Sequence, residues 1–169
     1  PKKYFESHPE YFQLSKGKRV SHPTRPQYCL SNPAVRELIY QELLQHLDAG
    51  YEMVQLGASD GFIPCECEPC RELYGQIPVA KPGEDGFRND PAWGEKLWIM
   101  HREMAQRLLQ DRPGKRVCIL SYGPTLQPPR TFTSFPENVT IELAPYRENL
   151  QPLWQKFAVR DGFVTYIYN

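Results

Sequence analysis

Glu52-Met53-Val54-Gln55-Leu56-Gly57-Ala58-Ser59-Asp60-Gly61-Phe62-Ile63-Pro64-Cys65-Glu66-Cys67-Glu68-Pro69-Cys70 joins a short apolar run to three thiols spaced Cys-x-Cys-x-x-Cys. The run 52–57 reads as a strand, and Asp60 stands just past its end. A loop this short cannot bury three thiols in a core. Thiolates that converge on one point suit a soft or borderline metal, and Zn2+ takes four ligands in a tetrahedron. Cys29, in Gln27-Tyr28-Cys29-Leu30-Ser31-Asn32-Pro33, is the best candidate for the fourth ligand. With four protein thiolates the ion has no open position, so its role is structural. Disulfides and redox thiols are the alternatives. Five cysteines would leave one over in a pure disulfide framework, and a Cys67–Cys70 redox pair leaves Cys65 unexplained.

Working outward from this stretch, Asn32 and Pro33 mark a helix start, the first as a cap and the second with its φ preset. Val35, Leu38, Ile39, Leu43 and Leu47 then recur at helical spacing, so a helix is expected over 33–48. Upstream, residues 1–28 read as a long loop with one helical turn, in which His8 and His22 are loop residues rather than ligands, with a substrate-facing role the alternative for either. Downstream, 75–90 is a Gly- and Pro-rich excursion, and a helix is expected over 91–110, capped by Asp90, with Trp93, Leu97, Met100, Met104 and Leu108 on its apolar face. Strands follow over 116–121, 138–143 and 163–168, with a helix over 148–157. Cys118 alternates inside the second strand and is a core thiol.

Strand and helix therefore alternate, which predicts a parallel α/β sheet built of right-handed crossovers. The long loops, 58–90, 122–137 and 144–147, all follow strands. In a (β/α)8 (TIM) barrel such loops make the active-site face. No Gly-x-Gly-x-x-Gly follows any strand, as a dinucleotide fold would have it. Four strands amount to about half a barrel, so the expectation is a partial (β/α)8 domain within a longer chain.

The totals exclude several classes. Lys+Arg and Asp+Glu are 20 each among 169 residues, which leaves no electrostatic footprint for nucleic acid or an anionic membrane. A zinc ribbon for nucleic acid would want paired knuckles and a basic surface, and neither is present. No apolar run approaches the roughly 18 residues of a membrane span. Proline, at 17 residues, fits long shaped loops.

The runs His8-Pro9-Glu10-Tyr11-Phe12, Gly17-Lys18-Arg19, Cys29-Leu30-Ser31-Asn32-Pro33-Ala34-Val35-Arg36, Ser59-Asp60-Gly61 and Cys65-x-Cys67-x-x-Cys70 together resemble a bacterial family of glycoside-hydrolase type. It is catalogued as a domain of unknown function and often follows an α-glucuronidase-like N-terminal domain. A more distant likeness is to the family 42 β-galactosidases, which are (β/α)8 barrels with a four-cysteine structural zinc. That resemblance implies zinc on Cys29, Cys65, Cys67 and Cys70. It also implies a carboxylate at the strand end. In the galactosidases an Asn-Glu pair stands there and its Glu donates the proton; here the place reads Ser59-Asp60. The strand that would carry the galactosidase nucleophile reads Tyr166-Ile167-Tyr168-Asn169, which has no carboxylate.

On this resemblance the expected function is hydrolysis of a poly- or oligosaccharide by two carboxyl groups across a glycosidic bond, with a non-catalytic carbohydrate-binding barrel as the alternative and a thiol-redox or metal-handling protein as a third. Asp60 is the first catalytic candidate; a turn residue is its structural reading, because Asp-Gly favours turns. Glu142 is the second, because it has the opposite parity to Val139, Ile141 and Leu143 and one parity of a barrel strand faces the interior; an ion-paired or edge Glu is its structural reading. Tyr122, Tyr146, Tyr168 and Trp93 are the candidates for stacking on sugar rings, with core or rim packing the alternative for each. Glu66 and Glu68 are expected to be solvated. The sugar-degrading relatives favour export, against which a zinc-thiolate site is comfortable in a reducing cytosol.

Overall fold

The computed structural model describes residues 2–144 and 148–166. Helix α1 (Lys2–Ser7) and a 3-10 turn at Pro9–Tyr11 lead into a hairpin of β1 (Leu14–Ser15) and β2 (Lys18–Arg19). Lys16 and Gly17 turn the hairpin with φ of 48° and 75°, the left-handed pair that a two-residue hairpin needs. Then come α2 (Pro33–Asp48), β3 (Met53–Leu56), α3 (Glu68–Glu72), α4 (Ala92–Asp111), β4 (Arg116–Ser121), β5 (Val139–Leu143), α5 (Gln151–Trp154) and β6 (Phe163–Thr165). The N-terminal segment thus carries more regular structure than the loop expected for it. The helix expected over 148–157 is shorter, a 3-10 turn at 148–150 followed by α5.

Strands β3, β4, β5 and β6 pair in that order, all parallel, as the alternation of the sequence predicts. Register aligns Val54, Val117 and Val139 in one row, and Leu56, Ile119, Ile141 and Phe163 in the next. Val117, Ile119, Val139 and Ile141 are fully buried, and each contributes about 1.5–3 kcal/mol by leaving water. Their partners are Tyr40, Leu43 and Leu47 of α2 and Leu97, Trp98, Met104 and Leu108 of α4. Both long helices, α2 and α4, therefore pack on one parity of the sheet. The other parity is mixed and polar: Gln55, Cys118 and Thr140 in one row, Leu120, Glu142 and Val164 in the next.

Asn32 starts α2 as expected, its Oδ1 accepting the Ala34 N–H at 2.9 Å. Leu38 is 40% exposed, while Tyr40, not on the expected stripe, is buried. Its hydroxyl donates to Asp111 at 2.7 Å, and Arg107 lies over its ring, so the amphipathic tip of the tyrosine is satisfied at the protein edge. No α-helix lies between β4 and β5, only a 3-10 turn at Gly123–Thr125. Phe132 and Phe135 of that loop fill the space, with Phe135 edge-on to Trp98. Cys118 is buried as predicted, and burial pushes its thiol up to about 11.

Candidate metal centre and adjoining cavity

The segment 25–29 is stitched to the loop after β3 along its length. Arg25 Nη1 lies 3.6 Å from Asp60 Oδ2, Ser59 Oγ donates to Pro26 O at 3.1 Å, and buried Gln27 both accepts from Ile63 N and donates to Asp60 O. The next residue but one, Cys29, meets the thiol loop. The four sulfurs of Cys29, Cys65, Cys67 and Cys70 all lie within 4.8 Å of one another, and all four residues are buried. Cys29 Sγ is 3.6 Å from Cys67 Sγ and 3.7 Å from Cys70 Sγ, and Cys65 Sγ is 3.3 Å from Cys67 Sγ. These separations are far beyond the roughly 2.05 Å of a disulfide. An ion held tetrahedrally at about 2.3 Å by four thiolates needs S–S edges of about 3.8 Å. The cluster fits that demand, so the four cysteines can bind a metal ion.

The surroundings suit the negative charge of four thiolates. Leu14 N and Ser31 N donate to Cys65 Sγ and Cys70 Sγ at 3.2 and 3.4 Å, and the Cys70 thiol donates to Ser31 Oγ at 3.1 Å. Arg19 Nη1 sits 3.7 Å from Cys65 Sγ while also donating to Phe12 O. Donors of this kind orient ligands and tune a bound ion. Hydrogen bonds from the thiols of Cys65, Cys67 and Cys70 push the Cys29 thiol down, and those with Cys29, Cys65 and Cys67 push Cys70 up. Cys67 is also pushed down and Cys65 up, so the crowded sulfurs compete for negative charge, which a cation at the centre would relieve. Behind the cluster, buried Lys96 donates to the carbonyls of Arg71 and Leu73 at the C-terminal end of α3.

Trp93 is a correction to the sugar-stacking expectation. It is 5% exposed and packs against the cysteine cluster and, edge-on, Phe87, with its Nε1–H donated to Phe87 O at 2.8 Å. The helical stripe that placed it on the apolar face of α4 accounts for this: a ring on that face is enclosed by the excursion. Tyr146 and Tyr168 lie outside the described residues. Tyr122, just past β4, donates its hydroxyl to Asp60 Oδ1 at 3.2 Å. Asp60 is exposed, as a residue available to solutes must be. Glu142 lies on the polar parity of the sheet, where its Oε2 accepts from Gln55 Nε2 at 2.6 Å, with the Cys118 thiol at 3.7 Å. Glu66 is not simply solvated, because its Oε2 accepts from Lys16 N at 2.6 Å and ties the hairpin to the metal loop. His8 stacks on Tyr11 and His22 Nδ1 accepts from Thr24 N and Arg25 N, so both organise the loop.

The loops after β3 and β4 and the first turn of α4 enclose a cavity of about 520 Å³ with Ser59, Gly61 and Tyr122 on its wall. Inspection of the sequence did not find Glu95, which is buried in that wall. Its carboxylate accepts from Arg130 N at 2.8 Å, Thr131 N at 2.9 Å and Thr131 Oγ1 at 2.5 Å. The only local signal is an acidic residue in the first turn of a helix, which is common. Asp90 serves the start of α4 as expected, accepting from Ala92 N, and also from Ala80 N.

Fold and site together define an α/β protein with a four-stranded parallel sheet and a tetracysteine centre able to hold a metal beside the C-terminal ends of its strands. Residues 1–166 match the family model described as a domain of unknown function, DUF4838, and the chain belongs to that family. A comparison with curated proteins gives no match. Among the described residues no helix is long and apolar enough to cross a membrane.

Proposed function

We propose that this chain is part of a (β/α)8-barrel carbohydrate-active domain that acts on a poly- or oligosaccharide, with a structural zinc on Cys29, Cys65, Cys67 and Cys70. The observation that carries the reading is the pairing of Asp60 with Tyr122. The two residues stand on loops after adjacent parallel strands, at the rim of a cavity at the strands' C-terminal ends. That is where enzymes of barrel type place their chemistry. Sequential strand order with the helical layer on one parity supports a barrel over a doubly wound sheet, which has helices on both faces. The remaining strands and an N-terminal domain would come from the same polypeptide.

In this reading Asp60 is one carboxyl group of the hydrolytic pair, held by Tyr122 and Arg25, and Glu142 is the second candidate, on the face that a closed barrel would turn inward. Zinc would supply no chemistry to the bond being broken; it would hold the rim that carries Asp60. Export fits the same reading, since metal ligation keeps crowded thiols from oxidising in pairs. The rival reading, saccharide binding without turnover, is favoured by the other carboxylates near the cavity. Asp90 and Glu95 are taken up by backbone N–H groups and are not free for proton transfer.

A panel of aryl glycosides and oligosaccharides separates the two. Turnover that falls about 10²-fold or more in Asp60→Asn, with binding retained, supports hydrolysis. Binding with no turnover on any member supports the lectin-like alternative. If Asp60→Asn changes neither turnover nor binding, the role assigned to Asp60 is wrong.

A further inference from the structure

We propose that the cavity at the strand ends binds the carboxylate of an acidic saccharide, and that Arg88 and Arg130 are the groups that hold it. The proposal rests on the carbohydrate reading above and names the substrate class for the same site.

The argument begins with the charges that line the cavity. They are Arg88, Arg130, Asp90 and Glu95. The two acids are already used. Asp90 gives one oxygen to Ala80 N and the other to Ala92 N, and Glu95 divides its oxygens among three donors of Arg130 and Thr131. The bases are not used in the same way. Arg88 is exposed and makes no hydrogen bond or ion pair among the described residues. Arg130 approaches Glu95 only at Nε, at 3.8 Å, with its side chain 66% exposed. Two guanidinium groups thus face one cavity with little to neutralise them.

Both arginines stand on backbone that buried groups hold in place. Arg88 follows Phe87, whose ring is buried and whose carbonyl accepts from Trp93 Nε1. Arg130 has its own N–H fixed by buried Glu95. Trp93 and Glu95 are two residues apart in the first turn of α4, so one rigid helix end positions both loops. Such pinning limits the entropy lost when a ligand is bound. Guanidinium presents paired N–H donors in a planar fork that matches a carboxylate, which a hydroxymethyl group at the same ring position cannot match. A volume of about 520 Å³ falls within the usual range of ligand pockets.

The test uses the zinc-loaded 169-residue chain, with binding followed by titration calorimetry at low salt. The probes are trigalacturonate, the same trisaccharide with its carboxyls reduced to hydroxymethyl groups, and sodium sulfate. The acid should bind about tenfold or more tightly than its reduced form. Arg88→Gln and Arg130→Gln should each remove most of that preference while zinc content and circular dichroism stay unchanged. Equal affinity for the acidic and reduced sugars, or a preference that survives both substitutions, overturns the acidic-saccharide assignment and leaves the carbohydrate reading standing. Sulfate that competes at the same concentration as the trisaccharide makes the site a simple anion site and overturns the proposal too. No binding of these sugars, nor of a wider neutral and acidic panel, would count against both.

Discussion

Gly94 tests whether the first turn of α4 and the loop after β4 form one wall. A Cβ at Gly94 would fall inside the van der Waals surface of the Pro124 carbonyl oxygen and 3.0 Å from its carbon. The oxygen would lie closer still than the carbon, so helix and loop would have to part by about 1 Å or more. Both sides of this contact are backbone, and no rotamer change relieves it. Overpacking of this kind costs about 1–3 kcal/mol, and the rigid partner places it near the upper end. Alanine gains about 1 kcal/mol over glycine inside a helix, which leaves a net loss of about 2 kcal/mol for Gly94→Ala. For a chain of this size that lowers Tm by about 4–8 °C. Gly75→Ala is the matched control. Its Cβ would meet nothing closer than 3.8 Å, at Glu72 O, and the substitution should change stability by less than about 0.5 kcal/mol. Urea and thermal unfolding of the two variants decide the matter. If Gly94→Ala is as stable as Gly75→Ala, the helix end and the loop do not touch, and the cavity wall described here is wrong.

Cys29→Ser should lose the metal and loosen the 58–70 loop, while Cys118→Ser should retain about one equivalent of zinc; elemental analysis of chelator-free protein reads both, and disulfide formation among the four cysteines would refute the centre. Glu95→Gln turns an amide N–H₂ toward backbone donors, so it should cost about 1–3 kcal/mol and speed hydrogen exchange at Arg130 and Thr131. His101, 1% exposed, has its pKa lowered by burial from an ordinary 6.5 to about 4. Between those values the unfolded chain takes up a proton that the folded chain refuses, so stability present above pH 6.5 is lost as pH falls through 4. The loss attributable to this one group is about 3 kcal/mol. His101→Gln should flatten that part of the pH profile relative to the parent chain. Metal release is common to both proteins and cancels in the difference, so identical slopes would contradict the assignment.

Local chemistry made much of this protein readable before its folding was known. The alternation of Val117, Ile119, Val139 and Ile141 states which parity meets the helices, because a strand has only two faces and water excludes one set from the other. Asn32-Pro33 marks the start of α2 because both residues act on the nearest turn. Cys-x-Cys-x-x-Cys announces a ligand set because six residues cannot keep three thiols apart. Other features depend on partners far along the chain. Trp93 reads equally well as a sugar platform or as packing; the excursion of residues 75–90, folded back over it, makes it packing. Glu95 looks like an ordinary acidic residue in a helix's first turn until Arg130 and Thr131, 35 and 36 residues away, place their N–H groups on it. Gln27 is one polar residue among many until it spans Asp60 and Ile63. Spacing along the chain governs interactions within a turn or a strand, whereas these contacts arise only when packing closes long loops against one another.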